Sequence, residues 1–262
     1  MKTTKIIAFL IYLALFSACG KDDKRPDNRK TYLTQITSGD VVTSFSYDNE
    51  GRLIKEQKVY TSGAFPTVYI EYSLFNAQGL PLRATQYNAT TAGNKAYQEA
   101  EYDSQNRITK RTTLFNDGGT LVLFRYTTFT YSDNKIVRRY YDNANVLIDW
   151  SEYIYNSSGN LTVVRHYNER GEQLSRKDYT SYDDKRSAKE FLSRFTNDRM
   201  LELGQNNPLG YTASYPATGG GSFDVNYTVT YEYNQEGYVT KSTTTEGATG
   251  TSYSDNYTYE KR

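Results

Sequence analysis

Along most of the chain after residue 30, apolar and polar residues alternate with a period of two. Phe223, Val225, Tyr227, Val229, Tyr231 and Tyr233 fall on one face, and Asp224, Asn226, Thr228, Thr230 and Glu232 on the other. This is the pattern of strands with one face turned to a core. Between such segments a second pattern recurs: an aromatic, Asp or Asn, a few variable residues, Gly or Asn, one residue, then an apolar residue. The first copy is Tyr47-Asp48-Asn49-Glu50-Gly51-Arg52-Leu53, and others begin at Phe75, Tyr102, Phe115, Tyr141, Tyr155, Tyr167 and Tyr233. Its fifth place holds Gly51, Gly79, Asn106, Gly119, Asn145, Gly159, Gly171 and Gly237, the two residue types that accept a left-handed backbone cheaply.

The chemistry of these residues predicts hairpins. Asp or Asn at the first corner bonds to backbone two residues on, as a type I turn requires, and Gly or Asn at the last corner closes a G1 bulge. With that bulge Tyr47 lies opposite Leu53, so each copy sets an aromatic against an apolar residue across the hairpin. The matching residues are Ile108, Leu121, Leu147, Leu161 and Val239, while Pro81 and Gln173 break the rule. Tyr47, Phe75 and Tyr102 are spaced for two strands and two turns; after Tyr102 the interval often halves, so both ends of the sheet use the pattern. Counting segments gives roughly fifteen strands. The predicted fold is all-β: a large curved antiparallel meander, open or barrel-like, over 31–262. The repeat fails at Tyr182-Asp183, where Ser187 and Glu190 form a capping box and Ala188, Phe191, Leu192 and Phe195 an apolar stripe. One short helix is predicted there, over 187–196. Asn206-Asn207-Pro208 is expected to start a loop, and Gly219-Gly220-Gly221 to form a tip.

Composition adds one feature to this picture. Of 262 residues, 27 are Tyr and only one is Trp. Tyrosine favours strands and sits half-buried with its hydroxyl in water, so a thin or open sheet is expected in place of a deep aliphatic core.

The first thirty residues follow another rule. Lys2 and Lys5 precede a short apolar run, Ile6 to Phe16, too short to span a bilayer but suited to a signal segment. Phe16-Ser17-Ala18-Cys19 resembles the bacterial lipobox, with Phe16 where leucine is preferred. Residues 1–18 are therefore expected to be an export signal. Cys19, the sole cysteine, is expected to be the lipid attachment point, and 19–30 a flexible tether. Several acyl chains on one residue give durable anchoring. Asp22-Asp23 resembles a surface-export signal and reads equally as part of a solvated tether. Removing Lys2 and Lys5 with the signal turns the net charge of +1 slightly negative. Interspersed charge near neutrality argues against nucleic acid as a partner.

Candidate chemistry is sparse. The one histidine, His166, stands beside Arg165 in a predicted strand with no nucleophile motif near it, and is read as a surface residue. Turns account for Asp48, Asp103 and Asp142. No metal or cofactor motif is present, so neither a catalytic residue, a metal nor a cofactor is expected. Tyrosines that pair across strands need no ligand. Aromatics exposed on a curved sheet would instead stack a sugar or a peptide side chain, and Trp150 is the best single platform. Two functions follow: a surface binding module for a glycan or protein, with an aromatic groove near Trp150, or a structural or assembly lipoprotein acting through sheet edges or faces.

A membrane-inserted barrel is a rival. It needs strands with one apolar face throughout, whereas Arg52, Glu56 and Lys58 share one face of their strand and Lys55 and Gln57 the other. The turns written Tyr-Asp-x-x-Gly-Arg-Leu resemble the YD repeats of bacterial cell-surface proteins. The lipobox, the hairpins, Tyr182-Asp183-Asp184-Lys185, Asn206-Asn207-Pro208 and the stretch 231–241 together resemble a Bacteroidota lipoprotein family with a porin-like fold. That resemblance implies a curved, many-stranded antiparallel sheet and an outer-membrane, lipid-anchored location; it implies no activity.

Overall fold

The computed structural model describes residues 30–90, 95–187, 204–217 and 220–262. The export signal, Cys19 and all but the first residue of the expected helix lie outside them. Thr31–Arg262 forms one compact unit. Its strands are β1 Thr31–Ser38, β2 Val41–Tyr47, β3 Leu53–Tyr60, β4 Val68–Phe75 and β5 Pro81–Asn88. Then come β6 Ala96–Tyr102, β7 Ile108–Asp117, β8 Thr120–Ser132, β9 Lys135–Asp142, β10 Leu147–Tyr155 and β11 Leu161–Asn168. The last five are β12 Gln173–Arg186, β13 Asn206–Pro216, β14 Ser222–Tyr233, β15 Val239–Glu246 and β16 Ser252–Lys261. Each pairs antiparallel with its neighbour in sequence, and β1 pairs with β16, so the meander closes into a barrel. Of the two expected forms, open or barrel-like, the chain adopts the barrel, and closure gives every strand a partner on both sides.

The turns form as the residues dictate. Asp48 Oδ1 accepts the backbone N–H groups of Glu50 (3.0 Å) and Arg52 (2.9 Å). Asn76, Asp103, Asp142, Asn156, Asn168 and Asn234 each do the same two and four residues on. The third residue after each Asp or Asn is left-handed, at φ 78° for Gly51, 61° for Asn106 and 84° for Gly237. The registers place Tyr47 opposite Leu53, Tyr102 opposite Ile108, Tyr155 opposite Leu161 and Tyr233 opposite Val239. Phe115 is the exception and faces Val122, while Leu121 faces Asn116. Gly118 and Gly119 are both left-handed there, so the hairpin closes tightly at Asp117 and Thr120. Its bulge moves back to the Thr113/Leu114 step.

Asn206-Asn207-Pro208 begins strand β13 where a loop was expected. At Tyr182-Asp183 no glycine follows, and a distant residue completes the turn chemistry. Asp183 Oδ1 accepts the N–H of Lys185 (3.1 Å) and that of Asn207 (3.0 Å). Asp183 Oδ2 accepts Asn207 Nδ2 (3.0 Å) and the Tyr233 hydroxyl. Asn206 and Asn160 exchange bonds of 2.9 and 3.0 Å.

The inner face is identified by Ser38 on β1 and Lys177 and Tyr179 on β12, which line one cavity although several strands separate them around the barrel. Leu33, Phe45, Tyr72, Val164, Val239 and Tyr257, all buried, point to that side. The outer wall carries the alternate residues, joined as ion pairs: Lys55–Glu71, Arg83–Glu99, Lys135–Glu152, Arg165–Glu152, Arg176–Asp178 and Lys241–Glu232. A lipid-facing wall needs an apolar band about 25 Å tall, and each midplane cation would cost roughly 2–4 kcal/mol. A charged wall of this kind belongs in water.

One end of the barrel holds Thr31 and Lys261 and the turns at Asp48, Asn76, Asp103, Asn156 and Asn234; call it the termini end. There tyrosines of alternate strands reach the preceding strand. Tyr47, Tyr102, Tyr131, Tyr231 and Tyr259 donate their hydroxyls to the carbonyls of Leu33, Pro81, Ile108, Pro208 and Val239, at 2.7 to 2.9 Å. These bonds satisfy carbonyls that the bulges release from the ladder.

Two glycines test the turn chemistry. Gly237 has open space where a Cβ would sit, whereas a Cβ on Gly51 would run into the Tyr32 hydroxyl. Gly237→Ala is expected to cost about 1 kcal/mol, the left-handed strain alone, and Gly51→Ala distinctly more, read as urea midpoints of the two variants.

Candidate functional site

A cluster of tyrosine rings lies inside the barrel on β12 to β16. Strand alternation puts Tyr179, Tyr211, Tyr227 and Tyr253 on the inner face, and the curvature of the closed sheet gathers them into one concave wall. Tyr211 is the hub: its ring stacks on Tyr227 (centroids 4.7 Å apart, 19°) and tilts against Tyr179 (5.6 Å). Its hydroxyl lies 3.4 Å from that of Tyr253. Burial, then the Tyr253 hydroxyl, raises the Tyr211 phenol well above its ordinary value. Lys177 Nζ stands 5.9 Å from the Tyr211 ring.

Tyr179, Tyr211, Tyr253 and Lys177 line a cavity of about 540 Å³ together with Ser38, Thr244 and Asp255, and Tyr227 adjoins it through its stack on Tyr211. The size falls within the range of small-molecule sites, roughly 300–1,000 Å³. Its polar groups are neutral phenols, hydroxyls and the amides of Asn206 and Asn207, with one cation, Lys177, and one carboxylate, Asp255. Such a lining offers ring faces for apolar contact and many hydroxyls for hydrogen bonding, and holds no strong net charge. Toward the end opposite the termini, Phe223 and Tyr253 are more than half exposed. At the termini end Leu33, Asn160, Asn207 and Val239 are buried. The concavity is therefore deep on one side and open on the other.

Trp150 stands elsewhere. It lies on the outer wall, stacked on its cross-strand partner Tyr167 with centroids 3.9 Å apart and planes 9° from parallel. Other outer aromatics pair similarly, Tyr69 with Tyr87 and Tyr126 with Tyr141. His166 is not a surface residue: it faces the lumen, and its Nδ1 lies 2.7 Å from the Ser151 hydroxyl. Ser151 has no exposed surface, so this contact holds the ring in place and presents no nucleophile to a substrate. Asp48, Asp103 and Asp142 serve the turns as expected. No group of three or more potential metal ligands occurs among the described residues.

Sequence reading missed the tyrosine wall because Tyr179, Tyr211 and Tyr253 belong to strands with no shared motif. The one legible trace was Tyr227 on the apolar face of its strand.

The inner phenols make the barrel sensitive to alkali. Burial, against the hydrogen bond with Ser242 and helped by Asp255, pushes Tyr257 up to about 12, and burial does the same to Tyr131. Below pH 10 these phenols are neutral whether the chain is folded or not, so their contribution to stability is complete. Above it the unfolded chain ionises first, and stability falls as pH rises toward 12. Absorbance at 295 nm and far-UV circular dichroism should therefore show the inner phenols ionising only as the barrel unfolds.

No protein-family model matches the chain, and no curated protein matches it. Two solved structures share its architecture. A porin-like protein from Bacteroides uniformis ATCC 8492 matches with a TM-score of 0.55 and 14% identity, over 88% of this chain and 96% of that one. A porin-like protein from Bacteroides vulgatus ATCC 8482 matches with a TM-score of 0.53 and 13% identity, over 88% of this chain and 99% of the other. At this identity the likeness is one of fold, and the fold of this chain is porin-like.

Proposed function

We propose that this is an exported envelope protein, lipid-anchored at the outer membrane through Cys19, whose barrel binds a glycan in its lumen and performs no catalysis. The single observation that carries the reading is the concave tyrosine wall of Tyr179, Tyr211, Tyr227 and Tyr253. Sugar rings present apolar faces that stack on phenols and hydroxyls that bond to Lys177, Asp255 and the phenolic oxygens. The dimensions favour a few sugar units over a folded protein surface. An ion-paired outer wall suits a barrel held beside a membrane by acyl chains in place of one set within it. The rival assembly reading then rests on sheet-face contacts, since β1 and β16 pair with each other and offer no free edge for strand addition.

Isothermal titration against glycans selected from an array tests the binding role. Tyr211→Ala and Tyr253→Ala should each weaken binding at least about tenfold, close to 1.4 kcal/mol, while Trp150→Phe on the outer wall leaves it unchanged. A folded barrel that holds no glycan would sink the reading. Metabolic labelling with an alkyne fatty acid tests the anchor: label is expected on the native chain and lost in Cys19→Ala. Protease shaving of intact cells then reports whether the barrel faces outward.

A further inference from the structure

We propose that the shoulder of the barrel over β7–β10, at the end away from the termini, seats against the interface of a lipid bilayer without crossing it. Exposed large apolar side chains are concentrated at this end. Leu121 and Leu123 on the outer face of β8, and Val146 and Ile148 before and within β10, are between 38% and 57% exposed. Val122, opposite Phe115, and Phe124, ring to ring with Phe115, extend the exposed apolar surface to the inner side of the hairpin. The last outward positions of the strands differ around the barrel. They are Tyr87, Tyr97, Tyr141 and Tyr167 on β5, β6, β9 and β11, but Pro216, Ser222, Thr245 and Ser252 on β13 to β16. One side of the end is therefore aromatic and aliphatic, and the other carries hydroxyls and a proline.

The wall is also layered by height. Beside the aliphatic shoulder come Tyr126, Tyr141 and Trp150, and cations stand next to this aromatic layer: Lys110 Nζ lies 5.3 Å from the Tyr126 ring, and Arg139 pairs in register with Trp150. Two residues further along β10, about 7 Å, is Glu152 with its ion pairs to Lys135 and Arg165. Apolar side chains, then Tyr and Trp rings with cations, then fixed ion pairs reproduce the polarity gradient of a bilayer interface. The ion-paired layer sets the depth at the roughly 5–10 Å of an interfacial seat. An interface with another protein has no reason to be graded by height in this way. The polar tip Asn116–Thr120 keeps the β7–β8 hairpin lying along the headgroups on its outer face, through Leu114, Leu121 and Leu123.

The test uses the chain from Gly20 onward, free of acyl groups; all sixteen strand pairings lie within Thr31–Lys261, so the barrel is complete without the anchor. The probe is a vesicle of phosphatidylethanolamine and phosphatidylglycerol, and Trp150, the only tryptophan, is the reporter. The chain is expected to float with vesicles, and lipids brominated high on the acyl chain should quench Trp150 more than those brominated near its end. The double variant Leu121→Glu, Leu123→Glu should lose vesicle binding at least about tenfold, with its circular dichroism and its glycan titration unchanged. A wild-type chain that stays out of the vesicle fraction overturns the proposal, as does binding that the double variant retains. Sedimentation of a dimer that the double variant dissolves, without lipid binding, assigns the shoulder to a second copy instead and equally overturns it. None of these outcomes bears on the lumenal site, which is read separately by titration.

Discussion

The structure depends on one local interaction repeated around the barrel: an Asp or Asn side-chain oxygen that accepts two backbone N–H groups across a tight turn. At Asp48, Asn76, Asp103, Asp142, Asn156, Asn168 and Asn234 this bond fixes both the reversal of the chain and the register of the strands it joins. At Asp48, Asp103, Asn156 and Asn234 a bulge accompanies the turn and the aromatic at the strand end faces inward. Tyr141 and Tyr167, before Asp142 and Asn168, lie instead on the outer wall. The tyrosine hydroxyls at the termini end, Tyr47 to Leu33 and Tyr231 to Pro208 among them, then tie neighbouring strands together above the last ladder bonds. Turn, bulge and hydroxyl form one unit, and the chain is built largely from repeats of it.

Where the unit is incomplete, a long-range contact replaces the missing part. Asp183 lacks its glycine and takes Asn207 and Tyr233 as partners, joining β12, β13 and β14 at the point where the meander is interrupted. Asn160 and Asn206 make a second such tie. Asn206-Asn207-Pro208 is therefore part of the barrel wall, because its amides and the Pro208 carbonyl are the acceptors and donors that this junction needs.

Polarity is distributed so that the barrel is inverted relative to a membrane-spanning one. Aliphatic and tyrosine side chains face the lumen and the rows of ion pairs face outward, Arg138–Asp149 on the inner face being an exception, while a shoulder at the open end is apolar outside. A tyrosine-rich interior suits this plan. Its phenols line the concavity with ring faces and hydroxyls, and the mutual stacking of Tyr211 and Tyr227 joins β13 to β14 there.

The sequence by itself determined the hairpins, the left-handed corners, the aromatic–apolar pairs and the alternation of Phe223 through Tyr233, because each arises from residues a few positions apart. It also specified that the sole histidine lacks a motif, though not that His166 would turn inward to Ser151. Only the tertiary structure decided closure, which rests on β1 meeting β16 across more than two hundred residues, a pairing with no local signature. Closure in turn decided which face became a lumen. It brought Tyr179, Tyr211, Tyr227 and Tyr253 from four strands onto one concave wall and left Trp150 outside, where local alternation alone made it the more prominent aromatic.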